Sequence, residues 1–241
     1  GMMNLNIIAG KRKGENMDKP FFPAGSGMVP EAFAIALMIC GPNKSIEEYI
    51  TCFKENVTWV KGMKTAERRL AFKRGELTGT RENPATYKKH VEPDANAELW
   101  FHHGLLQPDG SHADDTNYPS GYQVEQIFKE RWGVEPSGEF YDAYKLVKSF
   151  RDGLQKALWV NKDNPNRDKL AAALTAMSKD PDAIAALIRK NGDYDWYIGE
   201  AGDAQRDKLL TFVTANTLQN LVKFNSEALG LASVYKEGLV D

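Results

Sequence analysis

Apolar and polar residues follow two different periods over the first two thirds of the chain. Short apolar runs typical of β-strands stand at residues 21–23, 57–60, 99–101 and 159–160. Helical patterns lie between them, at residues 30–40, 46–53, 65–75, 84–90, 121–132 and 140–152. Strands that alternate with helices favour a sheet covered by helices, so this pattern predicts an α/β lobe.

Beyond residue 160 the pattern is helical throughout. Two helices are predicted after Asn164-Pro165 and Asp180-Pro181, and a long one over residues 203–229. The last carries an apolar stripe at helical spacing, formed by Leu210, Val213, Leu221, Phe224 and Ala228. We therefore expect an N-terminal segment at residues 1–17, an α/β ligand-binding lobe at 18–155 and a mainly helical part at 156–241.

The stretch from Thr65 to Gly79 is the most informative part of the sequence. Thr65 is the expected N-cap of a helix, with Glu67 in its first turn and Gly75 as its left-handed stop. Strand-like residues stand on both sides of this helix. The stretch thus predicts a βαβ unit whose Gly62 loop directs backbone N–H groups toward a ligand.

Three motifs together resemble one known family. Val60-Lys61-Gly62-Met63-Lys64, followed by Glu67, Leu70 and Arg74-Gly75-Glu76-Leu77-Thr78-Gly79, is similar to the second lobe of the tripartite tricarboxylate transporter substrate-binding receptors. Met63 stands where the family usually has Tyr. Residues 20–27 resemble the family's strand and small-residue ligand loop, and residues 157–165 its return to the first lobe.

The resemblance implies a periplasmic-binding-protein-like type II fold with additional C-terminal helices. It further implies an extracytoplasmic solute-binding protein that captures a small organic acid and delivers it to membrane transporter subunits. By the same resemblance a signal peptide and much of the first lobe are missing from this chain. We therefore expect the apolar stripe of the C-terminal helix to be covered by a second copy, in a homodimer. The alternative is a shortened relative that acts as an interaction or sensory module.

Two loops and one polar segment supply the candidate ligand-binding residues. The first loop has Gly25, Ser26, Gly27 and Val29, and the second has Gly62, Lys64 and Thr65. Both offer backbone N–H groups and a hydroxyl to a carboxylate, although both are also compatible with ordinary turns before helices. Arg81 could grip a carboxylate with two hydrogen bonds, and Asn83 lies beside it. Their alternatives are a solvated arginine and a helix cap.

Composition narrows the classes of partner. A formal net charge of −2 gives no reason to expect nucleic acid, and no apolar run approaches the ~20 residues of a membrane span. Cys40 ends an apolar helix, so we expect it and Cys52 to be free, buried thiols rather than a disulfide.

The histidines and acids of the middle region do not form a recognisable catalytic or metal motif. His102, His103, His112, Asp114 and Asp115 fit neither a zinc spacing nor the register of a calcium loop. Gly25-Ser26-Gly27 is neither a nucleophile elbow nor a dinucleotide fingerprint. We expect no metal, no cofactor and no enzymatic activity.

Overall fold

A computed structural model of the chain is mostly helical, with 59% helix and 6% strand. It describes residues 2–3, 21–23, 29–77, 79–94, 97, 99–107, 112–154, 158, 160–161, 163–191 and 196–231. Within these residues the helices are α1 (Val29–Cys40), α2 (Ile46–Asn56), α3 (Thr65–Lys73), α4 (Pro84–His90), α5 (Val124–Trp132), α6 (Glu139–Leu154), α7 (Arg167–Met177), α8 (Pro181–Asn191), α9 (Glu200–Leu210) and α10 (Ala215–Glu227).

Helix α1 lies at the centre of the core. It is apolar nearly all round, and α2, α5 and α6 pack against it, while α10 packs against α2 and α6. Aromatic rings fill the junction: Phe140 stacks on Tyr49 at 3.9 Å and on Phe33 at 4.8 Å between ring centroids. Phe224 of α10 contacts the same rings. Each such buried side chain stabilises the fold by about 1.5–3 kcal/mol relative to its exposed state.

The strands are short and form pairs only. They are β1 (Met2–Met3), β2 (Phe21–Pro23), β3 (Thr58–Val60), β4 (Gly79–Thr80), β5 (Leu105–Leu106) and β6 (His112–Ala113). β2 pairs with β3 in parallel, Phe21 opposite Thr58, whereas β1–β4 and β5–β6 are antiparallel. In the described part of the chain no sheet has more than two strands.

The predicted α/β fold, a periplasmic-binding-protein-like type II lobe, is therefore wrong. Residues 99–101, expected to be a strand, form no strand, although Trp100 and Phe101 are buried. The apolar helix α1 was expected to cover a sheet, but other helices surround it. An apolar run indicates that a segment is buried. It does not indicate whether the segment is buried among helices or in a sheet, because both give the same sequence pattern.

Gly75 follows α3 at positive φ, as predicted, and Asn83 is the cap of α4, the alternative to its role in ligand binding. The predicted cap Thr65 is displaced by one residue, because Lys64 precedes α3. Ser45 caps α2 through a capping box, and Gly133 ends α5 at positive φ.

The long C-terminal helix is two helices. It breaks between Leu210 and Ala215, where Thr214 accepts a hydrogen bond from the Thr217 N–H and starts α10. The apolar face of α10, with Leu221 and Phe224, is buried within the chain's own core. Part of the stripe that suggested a homodimer is thus covered within one chain, whereas Leu210, at its start, is half exposed.

Cys40 and Cys52 form a disulfide, so the expectation of free thiols is wrong. Helices α1 and α2 run side by side, and their Cα atoms at these positions lie 6.0 Å apart, within the usual range for a bridge. Among the described helices, none combines the length and apolarity needed to cross a bilayer.

Candidate functional site

The structure separates the residues predicted to bind a ligand. Gly25, Ser26 and Gly27 lie outside the described residues, and Val29 begins α1 with its side chain in the core. Gly62, Lys64 and Thr65 are exposed at the start of α3. There the Lys64 N–H already donates to Glu67 across 2.9 Å.

Arg81 and Asn83 have different surroundings although they are close in sequence. Asn83 accepts a hydrogen bond from the Thr86 N–H at 2.8 Å and so acts as the cap of α4. Arg81 directs its guanidinium into the protein, with one fifth of its side chain exposed. Of the predicted residues whose side chains are described, Arg81 is the one that meets buried charged groups.

Arg81 belongs to a cluster of polar side chains that we call the buried polar cluster. Four different parts of the fold contribute to it: the first turn of α1, the segment after β4, the loop before β5, and α6. Its members are Glu31, Arg81, His103, Tyr144 and Arg151.

Glu31 is the centre of the cluster and is fully buried. Arg151 donates a hydrogen bond from Nη1 to Glu31 Oε1. The Nε of Arg81 lies 3.5 Å from the same oxygen, and the Nε2 of His103 lies 3.6 Å from it. Three donor groups thus face one carboxylate oxygen, whereas Oε2 has no hydrogen-bond partner in the described structure.

The opposite edge of the His103 ring contacts α6. Nδ1 of His103 lies 2.9 Å from the hydroxyl of Tyr144. Burial raises the pKa of Tyr144 well above its ordinary value, so its hydroxyl keeps its proton and donates a hydrogen bond to Nδ1. The neutral imidazole then carries its proton on Nε2, which faces the Glu31 carboxylate.

Burial and the neighbouring charges oppose each other in their effect on the pKa of Glu31, but burial and the Arg151 charge act together on the pKa of His103. Burial alone would raise the pKa of Glu31, but the charges of Arg151 and Arg81 outweigh it and hold that pKa well below the ordinary value. Burial, reinforced by the Arg151 charge, lowers the pKa of His103 to about 4. At neutral pH the cluster therefore holds an ionised Glu31, a neutral His103 and two guanidinium ions.

A second set of charged groups lies along α6 beside the cluster. Lys148, almost fully buried, donates to Glu125 at 2.8 Å, and Nε2 of His112 lies 3.6 Å from Oδ2 of Asp152. Burial lowers the pKa of Lys148 and of His112, while their carboxylate partners act in the other direction. Across the described residues no three His, Cys, Asp or Glu side chains are arranged to hold a metal ion.

Two arginines of α3 hold the segment that carries Arg81. Arg68, itself buried, donates from Nη2 to the backbone carbonyl of Arg81 at 3.0 Å. Arg69 binds the buried carboxylate of Glu82 with two hydrogen bonds, of 2.7 and 2.8 Å. Arg68 and Arg69 therefore anchor the backbone beside the buried polar cluster.

Three buried polar atoms of the cluster have no hydrogen-bond partner within the described structure. They are Glu31 Oε2, His103 Nε2 and Arg151 Nε. Two of the three can donate a hydrogen bond, and a buried donor without a partner costs about 1–3 kcal/mol. The set thus suits an added acceptor, such as water or an anion.

Sequence reasoning missed most of this site. It did not single out Glu31, although Glu31 is the sole charged residue of α1, in an otherwise apolar helix. Nor did it single out Tyr144, Lys148 and Arg151, whose spacing of four and three places them on one face of α6. A buried-helix pattern interrupted by charge is the signal that could have revealed the cluster.

Comparisons of this chain with protein-family models, characterised proteins and solved structures gave no match. The resemblance to the transporter receptors therefore rests on the sequence motifs alone.

Proposed function

We propose that the chain binds a small organic acid through the guanidinium groups of Arg81 and Arg151. The observation that carries the proposal is the convergence of these two buried cations on one carboxylate position, with unpaired donors around it. Guanidinium groups bind carboxylates through strong, charge-assisted hydrogen bonds.

Charge and exposure both support an acid rather than a cation or a sugar. The guanidinium ions of Arg81 and Arg151 attract a carboxylate and repel a cation, and a sugar has no charge with which to pair. About one fifth of the side chains of Arg81 and Arg151 remains exposed, which gives the site a connection to solvent.

The wider role that we propose is that of an extracytoplasmic solute-binding protein, which passes the acid to the subunits of a membrane transporter. Delivery to a tripartite tricarboxylate-type transporter is supported by the sequence resemblance alone. The disulfide between Cys40 and Cys52 supports the extracytoplasmic part, because such bridges persist in oxidising compartments.

A thermal-shift screen tests the binding proposal. Acetate, succinate and citrate should be compared with sugars and amines of similar size. At a concentration about 100-fold above Kd, a true ligand stabilises the fold by about 2.7 kcal/mol. For a chain of this size that corresponds to a rise in Tm of roughly 5–10 °C.

Two matched variants give the screen its specificity. Arg151→Gln removes one of the two guanidinium groups and should abolish the shift. Arg206→Gln removes an exposed arginine on α9, paired with Asp203 and Asp207, and should keep it. The proposal fails if no acid shifts the Tm at millimolar concentration, or if the shift survives in Arg151→Gln.

One observation favours the second candidate, an interaction module. Large apolar side chains are exposed on α7, α8 and α9 and just before α9, namely Leu170, Ile188, Trp196, Tyr197 and Leu210. Exposed apolar surface of this kind marks protein contacts when it is contiguous. Light scattering distinguishes the candidates: a mass above 26.9 kDa together with no acid response would favour the interaction module.

A further inference from the structure

The carboxylate of Glu31 already stands where an incoming acid would bind. Arg151, Arg81 and His103 all face its Oε1, as they would face an oxygen of a ligand carboxylate. Any acid that uses the two guanidinium groups must therefore come into contact with Glu31. The fate of the Glu31 charge then determines how the site works.

Glu31 is enclosed by the fold. Its side chain is fully buried, and its neighbours along α1, Pro30 and Ala32, are buried as well. It lies in the first turn of the central helix of the core, and Arg151, Arg81 and His103 surround its Oε1. An acid that uses the same two guanidinium groups therefore binds beside Glu31.

Two carboxylates in direct contact repel each other strongly in a buried site, and the guanidinium groups here face Glu31 Oε1 rather than Oε2. The repulsion is relieved when they share one proton, as paired carboxylates do in other buried sites. Glu31 Oε2 offers a position for that proton, because it is buried and has no hydrogen-bond partner among the described residues. A protonated Oε2 would donate to the ligand, while Oε1 keeps its contacts with Arg151 and Arg81.

We propose that Glu31 is the built-in counter-ion of the acid site and that it takes up one proton from solvent when the ligand carboxylate binds. The inference rests on the proposed function and adds its regulation. The balance is simple: an anionic ligand and a proton enter together, and the net charge of the buried site does not change. No group of the cluster other than Glu31 has to gain or lose a proton.

The charged and titratable groups that face Glu31 or its direct partners come from α3, the segment after β4, the loop before β5, and α6. Arg68, Arg81, His103 and Arg151 act on Glu31 itself, whereas Tyr144 and Asp152 act on His103 and Arg151. The three arginines stay charged, and Tyr144 stays protonated. Neutral His103 carries its proton on Nε2 and has no reason to release it to an anionic ligand.

The measurable consequence is that acid binding weakens as pH rises. Linked uptake of about one proton makes the apparent affinity fall about tenfold for each pH unit, as long as free Glu31 is ionised and bound Glu31 is protonated. The same site would thus hold an acid more tightly in an acidic environment and release it in a neutral or alkaline one.

Calorimetric titration with succinate in two buffers tests the proposal. Bis-Tris and Tris differ in ionisation enthalpy, and neither contributes a competing carboxylate. The difference in apparent binding enthalpy between them gives the number of protons taken up. The expected value is about one proton per bound succinate, and a value near zero with clear binding overturns the inference while it leaves the proposed function standing.

Two variants sharpen the test. Glu31→Gln carries no titrating carboxylate, so it should bind succinate more tightly than the parent at alkaline pH and take up no proton. Glu76→Gln changes an exposed carboxylate, paired with Arg74 away from the cluster, and should retain the uptake. Proton uptake that persists in Glu31→Gln would overturn the inference, and absence of binding in the parent would overturn the proposed function with it. If Glu31→Gln does not fold, the parent's two-buffer measurement decides alone.

Discussion

Arg68 holds Arg81 in place: its Nη2 donates to the backbone carbonyl of Arg81 across 3.0 Å. Arg68 lies on α3 and Arg81 just after β4, so the contact joins a helix to the segment that enters the buried polar cluster. A like-charged pair is tolerated here because Glu31 and Glu82 lie near both guanidinium groups. Arg68 therefore helps to set the position of the Arg81 side chain, although Arg81 is the residue that pairs with Glu31.

Replacement of Arg68 by Met should destabilise the fold by about 1–3 kcal/mol, because the Arg81 carbonyl loses its partner. Acid binding should weaken as well, since Arg81 is no longer held. Urea unfolding and calorimetry measure the two effects. Arg74→Met is the control: Arg74 lies at the end of the same helix but is exposed, and its loss should cost less than about 0.5 kcal/mol. Equal costs for the two variants would contradict the anchoring role.

The chain offers two Arg–Glu pairs of the same geometry in different surroundings. Arg69–Glu82 and Arg74–Glu76 each have two hydrogen bonds, but Glu82 is buried whereas both members of the second pair are exposed. Double-mutant cycles with Gln substitutions should give a coupling energy of about 1–3 kcal/mol for the first pair. The exposed pair should give about 0–1 kcal/mol. A coupling that is equal in the two cycles would show that burial does not strengthen the first pair.

The sequence was a good guide to helices and their caps and a poor guide to how they pack. Ser45, Asn83 and Gly133 act within one turn of chain, so local pattern predicts them. Whether the apolar helix α1 meets a sheet or other helices depends on residues far away in sequence, such as Phe140 and Phe224. Local periodicity carries no information on that choice.

The candidate site shows the same limit. Arg81 was predicted from its place just after the strand that follows α3. Its partners Glu31 and Arg151 lie 50 residues before it and 70 residues after it in the sequence. Because Arg81 neutralises the buried carboxylate of Glu31, we expect Arg81→Ala to cost stability as well as affinity.

Reduction of the disulfide should lower the free energy of unfolding by about 2–3 kcal/mol, because Cys40 and Cys52 close a short loop in the unfolded chain. Calorimetry with and without a reductant should show a fall in Tm of roughly 5–10 °C. A Cys40→Ala/Cys52→Ala variant is the control and should not respond to the reductant. Two reactive thiols per chain, found after unfolding without reductant, would contradict the bridge.

The pH dependence of stability should report on His103. Its pKa is about 4 in the fold, mainly because of burial, against about 6.5 in the unfolded chain. The unfolded state therefore binds more protons between these values, so this contribution is complete above about pH 6.5 and is lost as the pH falls to about 4. The loss from this residue is about 3 kcal/mol. His103→Gln keeps a polar side chain that does not titrate and should flatten the profile, whereas His90→Gln, changed at the end of α4, should keep it. Urea unfolding at several pH values measures the free energy of unfolding of both variants. If it depends on pH as steeply in His103→Gln as in the parent, His103 is not the source of the pH dependence.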